Sequence, residues 1–474
     1  MFVSYPPLSR RGMALILSVL TLLVLGLLAA GFVTTSMVEL SIATNEMESR
    51  RALQLAKGGL AAAYQWMTDL PDPPCQGGGS TQPTPTSHDV SGIGRYDAWI
   101  DFDSQNSCLD SSSVWRYVLR SVGTTPAAVA SEVHVGVTAS RNTFAGYSWW
   151  WQTSDQGIWW TDWDRVDGRV HANDADVYLA DDPIHQANGA YFGQKVTLAG
   201  ECLFQLTGDG NPSPNIPEGY ATFVAGYETG VPPCGFPPDL GPTLSASGLT
   251  LRGETTIVLQ ADGTLRVTNA YAGFVDSVLP LPPSGVISVQ HASLINRGNL
   301  RIQGTLRGRA TIVAAGAVRI VGDLLYHDVS SPMPPVQSAY MLGLIAQNDI
   351  LITNVVQGAA DGDRCIYGFL LSSVGSALKV DSLAARGYEG VLVVHGGIAG
   401  NSLAPTLRTS QGQIVGGFGT DVTYDQRGLM TPPPYYPVVD CGDQQRWNIA
   451  KVDSSWTEVF PAIDGGGNGG GERD

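Results

Sequence analysis

The feature that most constrains this chain is an uncharged run from Gly12 to Val38, ending just before Glu39. Its apolar heart, Met13 to Val33 (MALILSVLTLLVLGLLAAGFV), is 21 residues long. About 20 apolar residues in helical form cross a bilayer, so the segment has the length of a membrane span. Arg10 and Arg11 precede it, and the positive-inside rule then puts the N-terminus in the cytoplasm and the rest of the chain outside. A cleaved secretory signal would give way to a small-residue site and a globular start. Here the helical pattern goes on. Residues 39–65 hold no proline, and Leu53, Ala56, Leu60, Ala63 and Met67 recur at three- and four-residue steps. The spacing predicts one helix over Met13–Met67, roughly 80 Å long at about 1.5 Å per residue, stopped by Pro71, Pro73 and Pro74.

Beyond the helix, composition favours strands. Of 474 residues 57 are glycine and only 15% are charged, with lysine confined to Lys57, Lys195, Lys379 and Lys451. An average soluble domain carries about 25% charged residues. The net charge of −16 excludes a general nucleic-acid coat but not a local basic patch. Residues 71–94 read as a Pro/Gly/Ser/Thr-rich loop, followed by expected strands at Tyr96–Asp103, Trp115–Val122 and Glu132–Ser140 that pack on the helix. From Asp164 to about Asp425, short apolar runs alternate with Gly, Asn and Asp turns, the texture of stacked β-solenoid coils. A pentad recurs as Gly263-Thr-Leu-Arg-Val267, Gly298-Asn-Leu-Arg-Ile302 and Gly316-Ala-Val-Arg-Ile320, with looser echoes at Asn348–Ile352 and Ser376–Val380. In each, the two aliphatic residues face inward and the residue between them faces outward.

The expected fold class is therefore α+β: a long N-terminal helix on an antiparallel sheet, with a large, mainly β (β-solenoid) insertion. The segments read as 1–12 leader, 13–67 helix, 68–163 sheet and linker, 164–425 solenoid, 426–464 return to the sheet and 465–474 disordered tail.

Arg266, Arg301 and Arg319 hold the outward pentad positions, and adjacent coils would space them about 4.7–4.9 Å apart. Arg297, Arg307 and Arg309 lie close by, and residues 251–320 carry seven arginines against three acids, a local net of +4. Arginine's fork grips phosphate with two hydrogen bonds, so such a stripe suits a nucleic-acid backbone. Pairing with acids, or plain solubility of a β surface, is the competing reading. Trp149, Trp150, Trp151, Trp159, Trp160 and Trp163 form either an aromatic plug over the core or faces on which bases or sugars stack.

Asp174 with Asp176, and Asp361 with Asp363, read as turn caps rather than catalytic pairs, and the seven aspartates of 162–182 as a solvated loop rather than a calcium site. No phosphate-loop, zincin or nucleophile-elbow motif occurs, so the expectation is a binding or structural protein with no enzymatic activity, metal or cofactor. Cys75, Cys108, Cys202, Cys234, Cys365 and Cys441 form no CxxC pair. An even count in an exported chain points to disulfides, and proximity favours Cys75–Cys108, Cys202–Cys234 and Cys365–Cys441.

The N-terminal residues resemble a known family. Arg10-Arg11-Gly12 before Met13-Ala14-Leu15 is similar to the leader of type IV prepilins, and Arg51–Leu60 (RALQLAKGGL) resembles the PilX-type minor pilins. The resemblance implies cleavage between Gly12 and Met13 by a prepilin peptidase, residence in the inner membrane before assembly, and partnership with other pilins through the helix. Leu17 stands where most pilins carry glutamate, at the fifth mature residue. That departure, shared with PilX-type proteins and the tip pseudopilin of type II secretion, implies a place at the pilus tip. Gly168–Asn173, Tyr424–Leu429 and Pro432–Pro437 resemble solenoid-bearing minor pilins of Deinococcus–Thermus-type bacteria that receive DNA. The implied function is capture of extracellular DNA for natural transformation. The alternatives are a structural pilin that primes or caps assembly, or a surface adhesin.

Overall fold

The computed structural model describes residues 10–68, 70, 86–102, 114–153, 158–161, 164–180, 189–206, 221–293, 296–330, 334–353, 362–383, 387–410, 413–441, 447–451 and 457–459. The expected tail 465–474, Cys75, Cys108 and Trp163 lie outside these residues.

Helix α1 runs unbroken over Arg10–Thr68. From Met13 to Met47 every side chain is exposed, and among the described residues α1 is the one helix long and apolar enough to cross a membrane. Its second half is different. Ala52, Leu55, Ala56, Leu60, Ala63 and Met67 are buried, a three-and-four-residue stripe. Leu53, which the sequence placed on this stripe, is only partly buried beside it.

The stripe packs on an antiparallel sheet of β1 (Thr86–Val90), β2 (Gly94–Phe102), β3 (Val114–Thr124) and β4 (Ala130–Arg141). Along β4 burial alternates from Ala130 to Ala139, with Val133, Val135, Val137 and Ala139 turned to the helix. Gly123 on β3 makes the close approach: a Cβ there would stand 2.1 Å from the carbonyl oxygen of Ala52. β1 corrects the expectation of a structureless loop over 71–94; its five residues pair with β2 from Thr86↔Ala98 to Val90↔Gly94. Strands Trp447–Lys451 and Thr457–Val459 also pair with β4, so the chain's end comes back to the sheet.

Between β4 and that return the chain is mostly β, and its strands stack in parallel. A first face runs, in stacking order, through Leu249–Arg252, Val286–Gln290, Arg309–Ala314 and Met341–Ala346. It continues through residues 369–372, residues 397–400, Trp149–Thr153, Val170–Ala172, Val196–Ala199 and Tyr227–Val231. A second face stacks Thr255–Leu259, residues 300–302, residues 318–320, Ile350–Ile352 and Lys379–Val380. A third includes residues 392–396, residues 420–423, Asp164–Asp167, Ala190–Phe192 and Ala221–Phe223. The core between the faces is aliphatic, with Ile302, Ile312, Ile320, Leu344, Ile350, Val394 and Val422 all almost fully buried.

The stacking order is a circular permutation of the chain order. The chain enters mid-stack at Trp149, winds to the end at Val231, crosses over residues 232–248, restarts at Leu249 and winds back to meet its own first strand. Trp149–Thr153 thus joins the stack ahead of position 164, where the sequence placed its start. The signal was hidden because both sides of this strand are buried: Trp149 and Trp151 face the interior, while Trp150 faces the opposite cluster with Phe144 and Phe369. Such a strand shows no alternation of apolar and polar residues. For these three tryptophans and Trp160, all 6% exposed or less, the plug is what the fold contains.

The crossing segment and the exit segment, residues 425–441, both lie along the outside of the first face. They are joined by a disulfide between Cys234 and Cys441, 207 positions apart. This corrects the expected Cys202–Cys234 and Cys365–Cys441 pairs; Cys202 and Cys365 are buried thiols. Chain path, not proximity, decides the pairing.

Beside the disulfide, His171 is 3% exposed, with Nδ1 2.8 Å from the Thr197 hydroxyl and Nε2 3.6 Å from Cys234 Sγ. Burial pushes its pKa down to about 4, against a smaller opposing effect of Asn173. The unfolded chain therefore takes up this proton first, near pH 6.5. The stabilising contribution is complete above pH 6.5 and is lost as pH falls toward 4, by about 3 kcal/mol at most. Urea midpoints measured across that window should fall more steeply for the wild type than for His171→Gln.

Candidate polymer-binding face

Turns between the stacked strands are pinned by Asn and Asp side chains. Asn299 Oδ1 accepts from the Ala317 N–H at 2.9 Å, Asp349 Oδ1 from Ser376, Asp363 Oδ1 from Val391 and Asp176 Oδ1 from Leu203, each at 2.9 Å. Asp176 and Asp363 are thereby turn pins, as their Gly/Ala/Asn setting suggested; Asp361 lies outside the described residues. Among the described residues no group of three or more His, Cys, Asp or Glu is placed to hold a metal ion.

On the second face the outward column reads Thr256, Arg301, Arg319, Leu351 and Lys379. Arg301 and Arg319 are direct register partners, as the pentads predicted, with Leu300, Ile302, Val318 and Ile320 buried on either side of them. The stripe then breaks. Leu351 interrupts it, and Lys379 binds Asp349 at 2.9 Å.

Arg266 is not on this column, which corrects the expected three-arginine ladder. Its strand, Thr264–Asn269, is the middle of three antiparallel strands, so Arg266 stands between Val258 and Val278 and meets Asp276 at 3.4 Å. The pentad could not reveal this, because Leu265 and Val267 are buried in a hairpin just as they would be in a coil. Arg309 is engaged elsewhere, where its Nη2 donates to the carbonyls of Thr431 at 3.0 Å and Pro432 at 2.6 Å and so tethers the exit segment. Arg297 and Arg307 are exposed in the turns flanking Leu300–Leu306. Asp262, held below the usual carboxylate range mainly by the Thr264 hydroxyl and N–H, also feels Arg307. The structure thus brings together Arg301 and Arg319, with Arg297 and Arg307 at the adjoining turns.

Sequence reasoning passed over Arg427, inside the Tyr424–Leu429 motif. Nε and Nη2 donate to the two carboxylate oxygens of Asp425 at 2.9 and 2.6 Å, and Nη1 donates to the carbonyls of Ser338 and Tyr340. It locks the exit segment to the stack. Its signal was the i, i+2 Asp–Arg pair beside a proline run, which has no specific local meaning. No protein-family model, curated protein or solved structure matches this chain.

Proposed function

We propose that this chain is a minor type IV pilin, placed at the pilus tip, whose β-solenoid insertion binds extracellular DNA. One observation carries the pilin reading: α1 passes without a break from an exposed apolar half to a half packed on an antiparallel sheet, to which the chain's last strands return. A cleft of about 670 Å³ between α1 and the β1–β2 hairpin supports it. The cleft is lined by Met47, Leu55, Val90, Ile93 and Tyr96 and adjoins the exposed helix, a place for a neighbouring subunit's helix. The solenoid reading rests on the three parallel ladders and the Asx pins between coils. Mass spectrometry of protein from membranes should find Met13 as the first residue, and Gly12→Asp should accumulate with its leader attached. An intact leader in the wild type, or a cut beyond Ala30, would remove the pilin reading.

For DNA the support is the Arg301–Arg319 pair, with Arg297 and Arg307 beside it. Full-length protein in detergent should retain duplex DNA on a filter. Each phosphate contact contributes about 0.9 to the slope of log affinity against log salt. Arg301→Ala with Arg319→Ala should flatten that slope by about two, while Arg266→Ala leaves it unchanged. Equal affinity and slope in a folded double variant would favour a structural pilin that caps or primes assembly.

A further inference from the structure

We infer that a groove on the second face is a saccharide-binding site for one or two pyranose units of an extracellular glycan. The groove exists because the second-face ladder is interrupted. One stretch ends at Lys379–Val380, and another begins at the bridge between Trp160 and Leu179 and continues through Val177–Leu179 and Phe204–Leu206. Between them the chain at Leu407–Ser410 turns into an antiparallel pairing with the strand that starts at Gln413. A cleft of about 500 Å³ is left open there, within the usual range for small-ligand sites.

Its lining is mainly apolar, with the half-buried Trp159 beside Leu383, Pro405 and Leu407. Trp149 and Trp160 line it, packed edge to face with centroids 4.9 Å apart. Trp159 is half-buried at the wall and held in place by an edge contact to Tyr178 at 5.2 Å. The polar side chains of its lining are Thr161, Asp164, Thr406 and Arg408. Asp164 Oδ2 accepts from the Thr161 N–H at 2.8 Å and from its hydroxyl at 3.2 Å, which sets the orientation of both. Arg408 is exposed and makes no ion pair among the described residues.

A pyranose has an apolar C–H face and a rim of hydroxyls that both donate and accept. The Trp159 ring matches the first, and a carboxylate and a guanidinium in the same lining, Asp164 and Arg408, match the second. A wholly apolar ligand would strip water from Asp164 and Arg408 without replacing its hydrogen bonds. A phosphate backbone would meet the Asp164 carboxylate. Because the tryptophans are immobilised by ring contacts, little side-chain entropy is lost on binding. This site is separate from the Arg301–Arg319 pair and does not rest on the DNA reading.

The test uses full-length protein in a detergent without a sugar headgroup, titrated with cellobiose, maltose and chitobiose. Tryptophan fluorescence and saturation-transfer NMR report binding. At least one disaccharide should bind saturably at millimolar concentration. Trp159→Ala should weaken it roughly tenfold or more, Trp159→Phe should retain most of the affinity, and Arg301→Ala with Arg319→Ala should change nothing. If Trp159→Ala fails to fold, Arg408→Ala, at an exposed position, is held to the same criterion. Failure of all three sugars to bind would overturn the proposal, as would wild-type affinity in the variant. Displacement of the fluorescence change by single-stranded oligothymidylate would also overturn it and assign the groove to nucleic acid.

Discussion

Exchanging Cys234 and Cys441 together for serine is expected to destabilise the stacked domain by about 4–5 kcal/mol. The disulfide closes a loop spanning 207 positions, and in the chain-entropy account the constraint on the unfolded chain grows with the logarithm of that span. The bond joins the two segments that lie outside the first face, the crossing at 232–248 and the exit at 425–441. Without it the two segments are joined directly by two hydrogen bonds, Gly235 N–H to the Asp440 carbonyl at 2.6 Å and Thr243 Oγ1 to the Tyr435 carbonyl at 2.6 Å, while the exit segment keeps its contacts to the stack through Thr311, Arg309 and Arg427. Each is worth about 1 kcal/mol net, which is less than the cross-link. Urea unfolding with and without a reductant measures the effect. Reductant should lower the midpoint of the wild type by more than that of the variant, which keeps the expected Cys75–Cys108 pair. A double serine variant that unfolds with the oxidised wild type would mean that the noncovalent contacts of the outer segments suffice without the cross-link.

Arg427→Ala is expected to cost about 3–5 kcal/mol. The Asp425 side chain is 2% exposed and that of Arg427 16%, so removing the guanidinium strands a carboxylate out of water. It also leaves the carbonyls of Ser338 and Tyr340 without this donor, and empties the contact over the Tyr326 ring at 5.6 Å. Arg427→Lys should recover only part of the loss, because an ammonium cannot bridge both carboxylate oxygens and two carbonyls. Adding Asp425→Ala to Arg427→Ala should restore stability relative to the single variant, since the unpaired charge is gone. A double variant less stable than Arg427→Ala would show that Asp425 has a role beyond this pair.

The two predictions fall on parts of the molecule with very different visibility in the sequence. Helix α1 was legible because its information is local: an uncharged, mainly apolar run of 21 residues, then a stripe at helical spacing, then prolines. The core strands β2, β3 and β4 were legible for the same reason, since alternation along residues 130–139 repeats every two residues. The inward pairs Leu300/Ile302 and Val318/Ile320 followed from the pleat. So did the adjacency of Arg301 and Arg319, once neighbouring pentads were taken as neighbouring coils.

What the tertiary structure alone decided depends on contacts far apart in the chain. Arg266 carries the same pentad as Arg301, yet its strand turns back as a hairpin, and nothing within five residues distinguishes a hairpin from a coil. Trp149–Trp151 joins residues 398–400 on one side and 170–172 on the other, because both of its sides are buried and the stack is wound in permuted order. The groove beside Trp159 arises where the ladder of residues 255–380 and the ladder of residues 160–206 fail to meet, bringing Arg408 to residues near position 160. Local sequence sets which way each residue of a strand faces, through the period of the backbone. Which strands become neighbours, and hence Cys234–Cys441 and the groove, is set by the burial of faces that acquire partners only when the whole stack has formed.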